Sequence, residues 1–315
     1  MVETLNTASK TKKKKLDRGS NIFYALLMIF PVAQFILFYI VVNFKSFGYA
    51  FMEQEKINDT EIIWKFARFD NIKDWFLNDY KREMLFSTAK MSIVYYAIVF
   101  LISIPLGLLF SYYIFKKLPM SKMFRVFLFI PSIIPAAAFV LSYKIIFNDV
   151  VDVVIQDLSV KFPKLVGAKW RFDDHPFAYI LFYNLYISFG TSVIMYANKM
   201  FDISPEIIEA GKLDGAVGIK EFWHIVLPLV FPTLSVFLIT GVAIIFTNHY
   251  NLYLFNTSPK FNTLGYYMYM LAGRTISSEQ AVPEVAALGF ILTMVAIPLT
   301  FGVKALLDKF GPSED

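Results

Sequence analysis

Cysteine is absent from the 315 residues, which excludes disulfides, thiol catalysis and cysteine-metal sites. Charge is scarce: Asp, Glu, Lys and Arg make up 17% of the chain, where a soluble domain carries about 25%. The three histidines, His175, His224 and His249, stand far apart without ligand spacing, so no metal centre is expected. No G-x-x-x-x-G-K-[ST] run occurs, so the chain has no phosphate-cradling loop of its own. No acid pair, histidine cluster or nucleophile constellation marks a catalytic site, which leaves a membrane enzyme without support. No Asp or Glu falls inside the long apolar runs, which argues against a proton or sodium symporter. A potassium-filter sequence and an arginine-rich voltage helix are likewise missing.

What is present is apolar. Hydrophobic residues make up 57% of the chain and aromatic residues 18%, with 34 Phe. A spanning helix needs about 20 mostly apolar residues. Six segments qualify, roughly 22–44, 86–115, 123–147, 177–199, 233–255 and 285–304. The second is longer than a bilayer requires and is expected to tilt or protrude. Lys90 and Lys144, near span ends, can snorkel to the headgroups. The run from Ile22 to Val42 lacks a small-residue cleavage site and reads as a retained span after a basic tail, residues 1–20. The fold class expected is an all-α membrane protein of about six spans, with residues 21–315 as one transmembrane domain.

Lys and Arg set the direction. One phase of the alternating loops holds Lys10, Lys12, Lys13, Lys14, Lys15 and Arg18, then Lys116, Lys117, Lys122 and Arg125. It also contains loop 200–232. That phase is expected in the cytoplasm, with both termini inside. The net charge of +5 is thereby explained by orientation, and no nucleic-acid partner is expected. The opposite segments, about 45–85, 148–176 and 256–284, mix acidic, aromatic and amide residues such as Trp64, Asp70, Asn71, Asp74 and Trp75. Partner contact and plain interfacial anchoring are equally compatible with that composition.

Loop 200–232 carries the strongest local signals. Ser204-Pro205-Glu206 is a helix start: a capping serine, a proline at the first helical position and an acid at the positive end of the dipole. Ala210 and Gly211 admit close backbone approach, and Gly215 stands where a helix end wants positive φ. A second helix is expected with Phe222, Ile225 and Val226 as apolar contacts, broken by Pro228 and Pro232 before the fifth span.

The order Glu209-Ala210-Gly211, Asp214-Gly215-Ala216, then Ile225-x-Leu227-Pro228 resembles the EAA loop of permease subunits of ATP-binding-cassette (ABC) importers. Gly211 replaces the usual alanine. Phe129-Ile130-Pro131 with Pro135 and Phe147-Asn148, and Thr263-Leu264-x-x-Tyr267-x-Tyr269, resemble the sugar-uptake branch. Thr257-Ser258-Pro259 departs from its Gly-Gly-Pro. The likeness covers about residues 80–310 and falls on the first permease of a two-permease pair of the maltose type.

The resemblance implies a type I ABC importer permease fold in the bacterial plasma membrane, with Glu209, Ala210, Gly211, Asp214, Gly215, Ala216, Phe222, Ile225, Leu227 and Pro228 coupling to an ATPase. It implies a second homologous permease, two ATPase subunits that hold ATP-Mg, an extracellular solute-binding protein, and no cofactor on this chain. For the substrate path, Asn184, Ser188 and Thr191 share a face of the fourth span. Gly241, Ile244 and Asn248 share one on the fifth, with Ile245 and Asn251 close by. Neutral amides and hydroxyls with aromatic planes suit a neutral polyol, though the same residues also glue helices together. The alternative is the same architecture for glycerol phosphate or a peptide. His249 reads as a hydrogen-bonded pore or packing residue.

Overall fold

The computed structural model describes residues 18–56, 62–162, 171–255, 258–275 and 281–312. The lysines at 10 and 12–15 and Thr257 lie outside the described residues. The chain divides into two compact units, Met1–Tyr49 and Ala50–Asp315. The described residues of the first unit are helical, and α1 (Ile22–Ala50) ends at the boundary. Pro31 lies inside it, and a widened π turn follows at Phe35–Val41, where Phe35 and Tyr39 stack at 5.1 Å.

The second unit opens with an addition to the helical plan. Strands β1 (Met52–Lys56) and β2 (Ile62–Phe66) pair antiparallel, with Met52 opposite Phe66. Helix α2 (Asp70–Leu77) follows, and Trp75 is fully buried with its indole N–H donating to Glu284 O at 3.2 Å. Trp75 is therefore neither a partner contact nor an interfacial anchor but a core residue. Lys81 bridges Asp74 and Glu284 at 2.6 and 2.9 Å and ties α2 to the last span.

Among the described residues five helices, α1 included, are long and apolar enough to cross a membrane. The others are α3 (Asp79–Phe115), α6 (Pro176–Phe201), α8 (Ile219–Ala243) and α11 (Val282–Phe310). The third expected span is not straight. It is α4 (Ser121–Ile133) and α5 (Ala136–Lys161), bent by 107°. The cause lies in the sequence: Pro135 has no N–H to give to the carbonyl of Pro131, and Ile134 before it is extended, with ψ 132°. Helices α7 (Pro205–Leu213), α9 (Leu252–Phe255) and α10 (Leu264–Thr275) are short connectors.

The fifth span also differs from expectation. It begins at Ile219 and ends at Ala243, and residues 244–251 leave the helix. Pro228 and Pro232 do not break it. A π turn at Phe222–Val226, with Leu227 N–H bonding Phe222 O, precedes the prolines and lets the helix run on.

Two buried clusters sit at opposite ends of the second unit. One holds Tyr95, Tyr143, Tyr183, Phe172 and Phe255. The other holds Leu108, Tyr196, Met200, Phe222 and Val226. Between the clusters, Tyr96 and Phe100 of α3 and Asn184 and Ser188 of α6 are only half-buried. That interval is where the cavity lies. Helix α6 lies hard against α4 because Gly190 presents no side chain; a Cβ there would strike Leu128 O.

Candidate functional site: a helical hairpin and a charge-free cavity

The hairpin of α7 and the start of α8 is built by local rules. The Ser204 hydroxyl accepts from Glu206 N–H at 3.3 Å and donates to its carboxylate at 2.8 Å. Pro205 takes the first helical position. The helix closes in a Schellman turn: Ala216 N–H donates to Gly211 O at 2.8 Å and Gly215 N–H to Lys212 O at 3.1 Å, with Gly215 at φ +81°. Nothing approaches Gly215 where a Cβ would be, so only its conformation demands glycine. Close approach occurs instead at Gly211, where a Cβ would meet Ile225 Cδ1. Gly218, at φ +62°, makes the second bend before α8.

The two faces of the hairpin differ. Ile208, Phe222 and Val226 are buried in one cluster with Leu108, Tyr196 and Met200, and Gly211 is buried against Ile225. Ile225, Leu227 and Pro228 are half-buried, as is Ala216. Glu209, Ala210 and Asp214 are exposed. So is an apolar row that the sequence reading missed: Leu213 is 89% exposed, Val217 63% and Trp223 57%. Side chains this apolar at a protruding turn point to a surface made to be covered.

Glu221 was also missed. It is fully buried, and its carboxylate accepts two bonds from Lys116 Nζ at 2.9 and 3.0 Å. The Tyr112 hydroxyl lies 3.2 Å from the same carboxylate and 2.9 Å from Gly218 O. Tyr112 and Lys116 end α3, so this cluster pins the base of α8 to the end of α3. The pairing was invisible in sequence because the partners are 105 positions apart.

Above the hairpin, α3, α6, α8 and the 244–251 segment enclose a cavity of about 270 Å³. Helix α3 contributes Tyr96, Phe100 and Ser103; α6 contributes Asn184, Ser188 and Ser192. Phe237 and Gly241 come from α8, and Ile244, Asn248 and Tyr250 from the segment beyond it. No lining residue is charged. Asn184 donates to Ile180 O at 2.9 Å and Tyr250 O at 3.2 Å, which leaves its amide oxygen as an acceptor. Asn248 accepts from Tyr250 N–H at 2.9 Å, which leaves its NH₂ as a donor. The cavity thus offers one amide of each sense beside aromatic planes.

The structure brings Asn184, Ser188, Gly241, Ile244 and Asn248 together here. Thr191 is exposed and outside the lining; Ser192 stands there instead. Ile245 is buried in packing, and Asn251 lies outside the cavity. Ile244 and Asn248 do not share a helical face with Gly241, because the helix has ended. Two close approaches hold them in place. Gly241 lets the Tyr96 ring in to 3.1 Å of where a Cβ would be, and Gly265 has no room for one beside the backbone of Thr247 and Asn248. Tyr250 and Asn251, at φ 48° and 56°, turn the chain back, and Tyr250 stacks on Tyr95 at 5.0 Å.

Three further residues find ordinary places. Lys144 donates to Phe255 O at 3.1 Å and sits over the Phe172 ring, so it closes a helix end rather than snorkelling freely. His249 Nδ1 accepts from Asn251 N–H, with Tyr253 and Tyr269 against its ring. Lys90 is exposed.

No protein-family model matches the chain. Among curated proteins it is 24% identical over 254 residues to the maltodextrin transport system permease protein MdxF of Bacillus subtilis, covering 76% of this chain and 56% of that one. It is 25% identical over 236 residues to the galactooligosaccharides transport system permease protein GanP of the same organism, covering 73% and 54%. The chain spans about half the length of these two. A third relative, the sn-glycerol-3-phosphate transport system permease protein UgpA of Pectobacterium atrosepticum, is 23% identical over 285 residues, covering 87% and 86%. Among solved structures, a chain of a bacterial alginate ABC transporter in complex with an alginate pentasaccharide-bound periplasmic protein matches with a TM-score of 0.70. That match covers 92% of this chain and 95% of that chain at 17% identity. The fold is that of an ABC transporter permease.

Proposed function

We propose that this chain is a permease subunit of an ATP-driven, binding-protein-dependent importer of carbohydrate in the bacterial plasma membrane. The observation that carries the reading is the continuity of α8. Its first turns belong to the hairpin, and its later turns carry Phe237 and Gly241 into the cavity wall. A helix of 25 residues is a rod about 37 Å long, so a push at the hairpin displaces the cavity wall with it.

In this reading the protruding turn, with Leu213 and Val217, fits into a separate ATPase subunit. ATP-Mg bound there supplies the energy, and this chain needs no nucleotide site. A second permease completes the path, and a solute-binding protein delivers the sugar to the end opposite the hairpin. With the hairpin cytoplasmic, the basic loop 116–125 falls on the same side, as the distribution of Lys and Arg expects. Closing of the ATPase pair moves the hairpins, and the helices convert that motion into alternating access.

A glycerol-phosphate importer is the second reading, favoured by the long match to that permease. The cavity lining speaks against it, since a phosphate wants cations and none faces the cavity. Reconstituting the complex in proteoliposomes decides between them. ATP-dependent uptake of a neutral oligosaccharide, without uptake of glycerol 3-phosphate, is the expected result. The reverse preference, or uptake that proceeds without ATP, would overturn the proposal.

A further inference from the structure

The α3–α4 loop and the first turns of α4 carry four cations, and one is accounted for: Lys116 is engaged by Glu221. The other three are Lys117, Lys122 and Arg125, all exposed. Among the described residues none of the three forms an ion pair; Arg125 donates to the neutral Asn198 Oδ1 at 3.3 Å. They rim a cavity of about 560 Å³, with Ile114, Leu118 and Phe201 as its apolar walls. The first turn of α4 opens at the same place, and no side chain caps it.

A second hollow of about 320 Å³ adjoins the first along the cleft between α3 and α4. It is lined by Leu109, Phe110, Tyr113 and Phe124. Tyr113 connects the two. Its ring packs on Phe124 at 5.8 Å, while its hydroxyl donates to the carbonyl of Pro119 in the rim of the basic cavity. An apolar hollow between two candidate membrane spans therefore lies within a helical turn of the cationic chamber.

We propose that this pair of hollows binds one anionic phospholipid, its phosphate among Lys117, Lys122 and Arg125 and one acyl chain in the groove. Three neighbouring cations without acids repel one another, and an anion removes that repulsion. The uncapped N–H groups at the start of α4 add donors of the right sign. A free anion would fill the chamber and leave the groove empty. An acidic protein segment would do the same, because the groove's lining of Leu109, Phe110, Tyr113 and Phe124 suits an acyl chain and not a polar backbone. An anionic lipid has both parts in the observed order, and basic pockets between spanning helices are suited to such headgroups. The inference rests on the membrane-spanning fold and does not depend on the transport reading.

Native mass spectrometry of the full chain, delipidated in a neutral detergent, tests it with phosphatidylglycerol against phosphatidylcholine of the same chains. One phosphatidylglycerol is expected to bind about a hundredfold more tightly than phosphatidylcholine, with each of the three cations contributing about fivefold. Each neutralised cation removes about fivefold of that affinity, so Lys122→Gln with Arg125→Gln lowers it about 25-fold and leaves phosphatidylcholine unchanged. Leu109→Trp, which fills the groove without touching charge, weakens phosphatidylglycerol as well. All these residues are exposed, so circular dichroism and elution volume should match the parent; should the double variant misfold, Lys122→Gln alone gives the fivefold step. An unchanged lipid preference in the charge variants overturns the proposal. So does displacement of the lipid by millimolar inorganic phosphate, which marks a free-anion site, or indifference to Leu109→Trp.

Discussion

The hairpin and the cavity belong to one helix, α8, yet they are held by different forces. At the hairpin, order comes from hydrogen bonds and charge: a capped start, a Schellman turn, and Glu221 buried under Lys116 and Tyr112. At the cavity, order comes from packing: aromatic rings, and glycines that let Tyr96 and the 244–251 segment come close. The first kind of construction is stiff and directional, since a hydrogen bond fails within a few tenths of an ångström. The second tolerates rearrangement, because rings can slide and repack with small changes in buried area. In the proposed function, the stiff end transmits motion and the adjustable end contacts the solute.

The sharpest way to break the stiff end is to orphan its buried charge. Lys116→Met leaves Glu221 without its cation and is expected to destabilise the protein by about 3 kcal/mol. A drop in melting temperature in detergent reads it out. Replacing both partners, Lys116→Met with Glu221→Leu, should recover most of that loss, because no charge is left unpaired. Failure of the double change to recover stability would mean the cluster matters through shape rather than charge.

Gly215 comes next. Its φ of +81° costs a residue with a Cβ about 1–2 kcal/mol, and a β-branched one more. Gly215→Val should therefore abolish co-purification of the ATPase while the chain remains in the membrane. Gly215→Asn should be milder, since asparagine tolerates left-handed backbone. Equal effects of the two would show that space, not conformation, is limiting there.

At the adjustable end the effects are smaller. Asn184→Ala removes one hydrogen-bonding group, worth about 1 kcal/mol, and should raise the solute concentration for half-maximal uptake about fivefold. ATPase assembly should be unaffected. Thr191→Ala, at a residue outside the cavity, should do nothing, and that pair of results separates the observed lining from the helical face read off the sequence.

How much of this was legible beforehand follows from range. The hairpin was readable because its determinants are local: Ser204, Pro205, Gly211 and Gly215 act within one or two turns. The membrane class and most span positions were readable because hydrocarbon thickness imposes a length. The bend at Pro135 and the end of α8 at Ala243 were misread because hydropathy alone cannot tell a straight helix from a broken one. The passage of α8 through Pro228 and Pro232 depended on a π turn, which leaves no compositional mark. Of the cavity, Asn184, Ser188 and Asn248 were singled out by their polarity in apolar surroundings. Tyr96 and Phe100 were not, since nothing local distinguishes a lining ring from a packed one. Glu221 escaped because its partner comes from another helix.

The absence of cysteine makes the most direct test a clean one. Leu213→Cys places a single thiol on the 89%-exposed residue of the hairpin turn. In intact cells, a membrane-impermeant maleimide should leave that thiol unmodified, and in inside-out vesicles a cross-linker should join it to the ATPase subunit. Labelling from the outside of intact cells, or a cross-link to no other subunit, would contradict the account of the hairpin as the intracellular drive point of the pore.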